Sequence, residues 1–448
     1  MSLIKLAVLR AKVATLPYAV ISILAALSAF GTYTAMYSFR KAFAAGTFTD
    51  HQYLHVDYKV WLVIAQVLGY MLSKFYGIRF ISEIKGNNRG KSILILIGIS
   101  WLALLGFALV PAPWNIVFLF INGFPLGMIW GLVFGYLEGR KSTEFMAAVM
   151  SISLIFASGF VKTVGRTLLT VFHVNEYHMP FLTGAIFVIP LLFFVFCLEL
   201  MPPPTAEDKK LRVERTPMNA RERRDFLIRF LPGIILTLII YVLLTIMRDV
   251  RDNFEVEIWA DLGVKSNSIY THIDLFISII VLVGMSLLIL IRKNLKAFSI
   301  IHLFIIGGCL LVGISTYLFD HKMISPIAWM TMAGLGLYLA YVPYNAIFFE
   351  RMIASFNYRS NAGFIMYVAD AAGYLASVSI LVVKELGKPN ISWGNFFREG
   401  IMLVAVIGGI SAVLSLIYFL QTAQRNRKKE KKTEEQKLEE QQFNIVSL

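Results

Sequence analysis

The chain has little of what most soluble catalytic centres are built from. Only 16% of its 448 residues are charged and only two are cysteines. Cys197 and Cys309 fall in separate apolar runs, which excludes a disulfide framework or a cysteine metal cluster and leaves both as small core residues. The seven histidines do not cluster at metal-ligand spacing, so neither a metal nor a cofactor is expected. No glycine-rich loop leads into Lys-Ser or Lys-Thr, and no nucleophile is paired with a base in an apolar pocket. Coupling to ATP and enzymatic chemistry are therefore unsupported, and the expectation is a protein that is not an enzyme. Acids are scarcer than bases, 28 Asp and Glu against 42 Lys and Arg, for a net charge of +14. The basic residues lie in short loops between apolar runs instead of on one soluble face, which argues against nucleic acid as a partner.

What the chain has in abundance is apolar surface: 57% of residues are hydrophobic and 14% aromatic. Runs of roughly 20 or more apolar residues predict helical spans near 17–40, 59–82, 92–111, 114–138, 144–172, 178–200, 226–250, 269–291, 297–318, 325–349, 361–384 and 399–422. The expected fold class is an all-α polytopic membrane protein with twelve transmembrane helices. The first run is too long for a signal peptide and has no small-residue cleavage site, so it reads as a retained span. Basic residues cluster before span 1, after spans 2, 4 and 8, and between spans 6 and 7, whereas the loops at 111–114 and 172–177 carry no Lys or Arg. The positive-inside rule then puts both termini in the cytoplasm. The expected location is the bacterial cytoplasmic (inner) membrane, with membrane lipid as the surrounding partner and a monomer as the expected state.

Met-Pro-Pro-Pro at 201–204 ends span 6, and a charged stretch follows. The predicted organisation is a six-helix bundle at 1–200, a cytoplasmic linker at 201–225, a second six-helix bundle at 226–424 and a charged tail at 425–448. The tail has no apolar face and reads as solvated or loosely helical, able to meet anionic headgroups but sufficiently explained as solubilising. Weak internal echoes, F-x-x-x-E-x-R from Phe134 and F-F-E-R from Phe348, sit at matching ends of the fourth span of each half.

Arg40 and Arg248 each close an apolar run and stand 208 positions apart, close to half the chain. A guanidinium at membrane depth costs several kcal/mol unless it faces protein, water or a ligand, so one cation per half points to an anionic solute. Local chemistry offers a blander reading for Arg248, because Asp249, Arg251 and Asp252 follow it and Asp252 stands at i+4. Arg40 has only Lys41 beside it, and Lys74 likewise lacks a nearby acid. Lys162 and Arg166 share a face of span 5; both can snorkel to the interface, and Lys162 is the one that suits a cavity. Asp370, near the middle of span 11, suits either an ion pair or a proton carrier. Gly127, Gly131 and Gly135 share a face of span 4 and predict tight helix packing, while the Gly and Pro residues of span 10 mark a place to bend.

The segment T-Y-T-A-M-Y-S-F-R-K-A-F from Thr32, G-Y-M-L-S-K-F-Y-G from Gly69, Asn122-Gly123 with Trp130, and Tyr241 to Arg248 occur in this order at the depths of spans 1, 2, 4 and 7. With twelve spans and a basic middle loop, they resemble the major facilitator superfamily (MFS), and within it the organophosphate:phosphate antiporter branch. The resemblance implies two pseudo-symmetric six-helix bundles around a midplane site, with Arg40 and Arg248 as phosphate ligands and Lys74 lining the cavity. The branch's histidine in helix 5 has no counterpart between Met146 and Thr170, where Ser158 or Lys162 stands instead.

The expectation is a secondary active transporter of a small organic anion, phosphorylated or not, working by alternating access. Arg40, Arg248 and Lys74 would bind it and Tyr33, Tyr37 and Tyr241 would shape the wall, with Lys162 as a further candidate. The alternatives are a proton-coupled symporter of another small solute, with Asp370 or Asp274 as carrier, and an MFS-like membrane sensor that signals through the linker and tail.

Overall fold

The computed structural model describes residues 3–49, 51–83, 88–205, 208, 220–356, 362–387 and 391–446. Among these residues ten helices are long and apolar enough to cross a membrane. Two more, starting at Pro326 and Ala362, complete twelve spans in the predicted order. The first half consists of Tyr18–Lys41, Tyr58–Glu83, Arg89–Leu109, a fourth span in two pieces (Ile116–Leu126 and Ile129–Leu137), Thr143–Thr170 and Met179–Glu199. The second consists of Ala220–Asp261, Ile269–Ile289, Asn294–Asp320, a tenth span from Pro326–Pro343 through to Phe349–Ser355, Ala362–Gly387 and a twelfth span beginning at Trp393–Leu403. Of the linker predicted at 201–225, residues 206, 207 and 209–219 lie outside the described residues, as does Lys85 of the loop after span 2. A two-residue antiparallel ladder, Gln52–Tyr53 with Val56–Asp57, sits between spans 1 and 2.

Span 7 departs most from expectation. It was predicted to end near residue 250 but continues to Asp261, about 16 Å further at 1.5 Å per residue, with a bend at Phe254 (φ −117°, ψ 21°). The charged run from Arg248 to Glu257 contains neither Pro nor Gly, so nothing local stops the helix there. Gly263 does: it takes φ +73°, and the amides of Gly263 and Val264 donate to the carbonyls of Ala260 and Trp259, closing the last turn. Span 12 also continues, through the one-turn π segment Val404–Gly408 into the helix Gly409–Val446, so the tail is a helical extension.

The outward surface is apolar, with Ile189 77% and Leu310 57% exposed, as lipid-facing helices require. Packing inside each half relies on small residues. A Cβ at Gly123 would lie 2.3 Å from the Gln66 carbonyl oxygen and one at Gly69 2.3 Å from that of Phe120, so spans 2 and 4 meet backbone to backbone. The packing stripe therefore runs through Gly123 and Gly127; Gly131 lines the cavity between the halves and Gly135 meets the Arg89 side chain. The two halves touch through spans 2 and 11 and through spans 5 and 8.

Candidate functional site

Span 1 ends inside the protein, where its last carbonyls have no helical partner. Two side-chain amides satisfy them: Asn122 donates to the Phe39 carbonyl (2.9 Å) and Gln66 to the Arg40 carbonyl (2.6 Å), and Gln66 also donates to Asn122 (2.7 Å). Asn122 further donates to the Ser100 carbonyl, which ties spans 1, 2, 3 and 4 together. This cap fixes the last turn of span 1 and so the place from which Arg40 projects, at the negative end of the helix dipole.

Arg40 projects into a cavity of about 270 Å³ between the halves, near the small end of ligand pockets. Tyr33, Tyr37, Tyr70 and Lys74 line it from the first half, and Arg248, Tyr341, Asp370 and Tyr374 from the second. It continues to Gly77, Glu144 and Phe349, at the ends of spans 2, 5 and 10 that lie on the linker side. There Arg351 of span 10 bonds Glu144 of span 5 (2.8 Å) across the mouth. Span 10 reaches this mouth through the π turn Tyr344–Phe348, which follows Pro343 and places Tyr344 and Asn345 on the wall.

The three cations on the wall have different surroundings. Lys74 bonds Asp370, on span 11 of the other half, and the Tyr241 hydroxyl donates to the second oxygen of the same carboxylate. Arg248 donates to Asp249 (2.6 Å) and to the Tyr341 hydroxyl (2.8 Å). Arg40 is 6% exposed, has no ion pair among the described residues, and its Nε has no hydrogen-bond partner. Its guanidinium stacks 3.8 Å from the Tyr70 ring centroid and stands 5.7 Å from that of Tyr37. Two expectations change here. Lys74 does have an acid, 296 positions away in sequence, and Arg248 pairs with Asp249 because Asp252 is engaged elsewhere.

On the far side, away from the linker, a layer of buried charge closes the space between the halves. Lysines of the first half meet acids on the extended end of span 7: Lys41 with Asp252 (2.9 Å), Lys59 with Glu257 (2.5 Å) and Lys162 with Glu255 (2.7 Å). Ser158 donates to Asp252, and Lys41 also donates to Asn253 (2.7 Å). Arg251 lies between Asp274 (2.8 Å) and Glu255 (3.4 Å), so four cations face four acids.

Six of the nine residues expected as ligands, wall or proton carriers therefore line the cavity: Tyr33, Tyr37, Arg40, Lys74, Arg248 and Asp370. Tyr241 stands behind the wall, 1% exposed, and orients Asp370. Lys162 and Asp274 are fully buried in the far-side layer, because the longer span 7 brings Glu255 and Arg251 to them. Arg166 is half-buried, with its guanidinium near the Ala45 carbonyl (3.4 Å). Sequence reasoning gave no site role to Tyr70, Tyr374, Lys41 or Lys59. The first three lie in or beside stretches that carry other candidates, but nothing local marks which of them face the cavity.

The architecture is that of solved MFS structures. A D-xylose–proton symporter aligns over 89% of this chain and 96% of its own at 14% identity, with a TM-score of 0.58. The xylose transporter of E. coli in an inward-open conformation aligns over 88% and 94% at 13% identity, with a TM-score of 0.55. A peptide transporter in complex with alafosfalin aligns over 90% and 95% at 15% identity, with a TM-score of 0.59. At such identities the likeness establishes the MFS fold and nothing finer. No curated protein matches the chain. At the level of sequence the assignment is direct: a family of unknown function, DUF5690, matches residues 42–422, and the chain belongs to it.

Proposed function

We propose that the protein is a secondary transporter of a small organic anion, working by alternating access, with Arg40 as the principal anion ligand. The observation that carries this reading is a guanidinium that is buried, faces the cavity between the halves and has no counter-ion among the described residues. An unpaired buried charge costs several kcal/mol, and a bound anion is the partner that removes this cost. Arg248 and Lys74 are secondary ligands, each already held by a resident carboxylate. Tyr33, Tyr37 and Tyr70 supply aromatic faces around the anion's body.

The cavity reaches the linker side, where the Arg351–Glu144 pair spans its mouth, and is sealed on the far side by the lysine–carboxylate layer. Exposing the site to the far side requires Lys41, Lys59 and Lys162 to separate from span 7, while the linker-side ends of the halves come together. Uptake of radiolabelled anions into proteoliposomes tests the reading: Arg40→Ala abolishes uptake at unchanged protein incorporation, and uptake equal to wild type would remove Arg40 from the site. A proton-coupled mechanism is the second reading. Of its two candidate carriers the geometry favours Asp370, which borders the cavity, over Asp274, which is sealed beside Arg251. Uptake driven by internal counter-anion, and indifferent to a pH gradient, separates exchange from proton coupling.

A further inference from the structure

The charges around the base of the cavity do more than attract an anion; they set how many charges it carries. Lys74 is cancelled by Asp370, and Arg248 by Asp249. Both pairs are largely buried, with side-chain exposures of 19% and 7% in the first and 11% and 7% in the second, so bulk water screens them little. Among the described residues around the base, Arg40 is the cation left without a resident carboxylate. A monovalent anion brings the base to neutrality. A divalent one leaves a buried negative charge or has to pull Lys74 away from Asp370, stranding that carboxylate.

The posture of Arg40 narrows the chemistry further. The guanidinium carbon lies 3.8 Å from the Tyr70 ring centroid, and the N–H donors of a guanidinium lie in its own plane. Two parallel N–H groups in a plane match two oxygens of a carboxylate or of a phosphate, so the choice between them falls to valence: a monocarboxylate carries one charge and a phosphate monoester close to two. In the same cavity Tyr33, Tyr37 and Trp130 form an aromatic wall, with Tyr33 5.7 Å from Tyr37 and 5.1 Å, edge on, from Trp130. We infer that the ligand is a monocarboxylate with a cyclic or otherwise apolar body, held edge-on by Arg40, and that Asp370 enforces this valence by keeping Lys74 neutralised. This inference rests on the anion reading above and goes beyond it by excluding phosphate monoesters and dicarboxylates as preferred substrates.

The same geometry supplies a test by charge subtraction. Asp370→Asn frees Lys74 and raises the charge at the base by one, whereas Lys74→Gln with Asp370→Asn removes both members of the pair and restores the wild-type balance. Valence-matched probes, benzoate against phthalate and propionate against succinate, together with inorganic phosphate, are titrated against the purified full chain by thermal shift and calorimetry. The wild type binds the monovalent member of each pair about tenfold or more tightly than the divalent member. Asp370→Asn shifts the ratio toward the divalent member by about the same factor, and the double variant returns to monovalent preference. Divalent preference in the wild type, still dependent on Arg40, overturns the valence inference and leaves the anion site standing. A ratio that moves equally in the single and double variants also overturns it. Binding of neither class overturns the anion reading itself.

Discussion

Lys162 offers the most direct test of how the far side is held shut. Its side chain is fully buried, with Nζ 2.7 Å from Glu255, 2.8 Å from the Ser158 hydroxyl and 3.5 Å from Asp252. Lys162→Met keeps the length and removes the charge, leaving two carboxylates of span 7 to share Lys41 and Arg251. Removing one partner of a buried ion pair costs about 3–5 kcal/mol, because the other is left charged and dry. That loss falls on the far-side-closed arrangement, in which Lys162 and Ser158 of span 5 are bonded to the acids of span 7. A shift of about 3 kcal/mol moves a two-state equilibrium by roughly a hundredfold, so a far-side-open population of a fraction of a percent becomes a visible one.

Spin labels at Val171 and Lys265, exposed far-side positions in opposite halves, report the change once Cys197 and Cys309 are replaced. Pulsed dipolar spectroscopy should find one short distance in the parent and a second, longer one in Lys162→Met. Adding Glu255→Gln to Lys162→Met removes the stranded charge and should bring back part of the short-distance population. An unchanged distance distribution in Lys162→Met, in a protein that remains folded, would show that the charge layer does not hold the far side closed.

Two further expectations concern stability. Gly123→Leu forces a side chain against the Gln66 backbone and should lower stability by about 1–3 kcal/mol or more, read as a fall in Tm in detergent. Because Gln66 caps the carbonyl of Arg40, anion-induced stabilisation should shrink in the same variant. Asp208 anchors the linker to the first half, accepting bonds from the Lys141 and Thr205 amides and from the Thr205 and Tyr18 hydroxyls. Burial opposes its ionisation, yet these donors hold its pKa below the ordinary carboxylate value. A folded-state pKa lowered in this way adds stability above the unfolded value of about 3.9, and that stability is lost as pH falls toward the folded one. The Tm difference between the parent and Asp208→Asn should therefore be present from pH 5 to 7 and shrink toward pH 3.

Apolar run length was enough to place most spans within a few residues, because a helix in lipid must satisfy its backbone internally and leaves few other readings. Arg40 and Lys74 stood out for a related reason, as charges where charge is costly. What stayed hidden depends on partners distant in sequence. Nothing near Lys74 announces Asp370, and nothing near Arg248 explains why Asp252 prefers Lys41 and Lys162. The run from Arg248 to Glu257 looked like a membrane edge because ten residues holding six charges cannot face lipid. They can face another half of the same protein when lysines stand opposite, and that complementarity is written in spans 1, 2 and 5.

The two charge layers also differ in a way that bears on coupling. The far-side layer balances four cations against four acids and needs no ligand to form. Among the described residues at the base of the cavity, Arg40 has no resident carboxylate while Lys74 and Arg248 each have one. Under the proposed mechanism, the linker-side ends must come together before the far side opens, and that movement takes the cavity out of contact with water. With the cavity empty, it would leave the Arg40 guanidinium dry and unpaired while the lysines of the far side are also losing their partners. A bound monocarboxylate removes the first of these costs and leaves the second, so the loaded protein crosses more readily than the empty one. On the proposed mechanism this asymmetry would make exchange obligatory without a dedicated proton carrier, because each half-cycle would need an anion on Arg40.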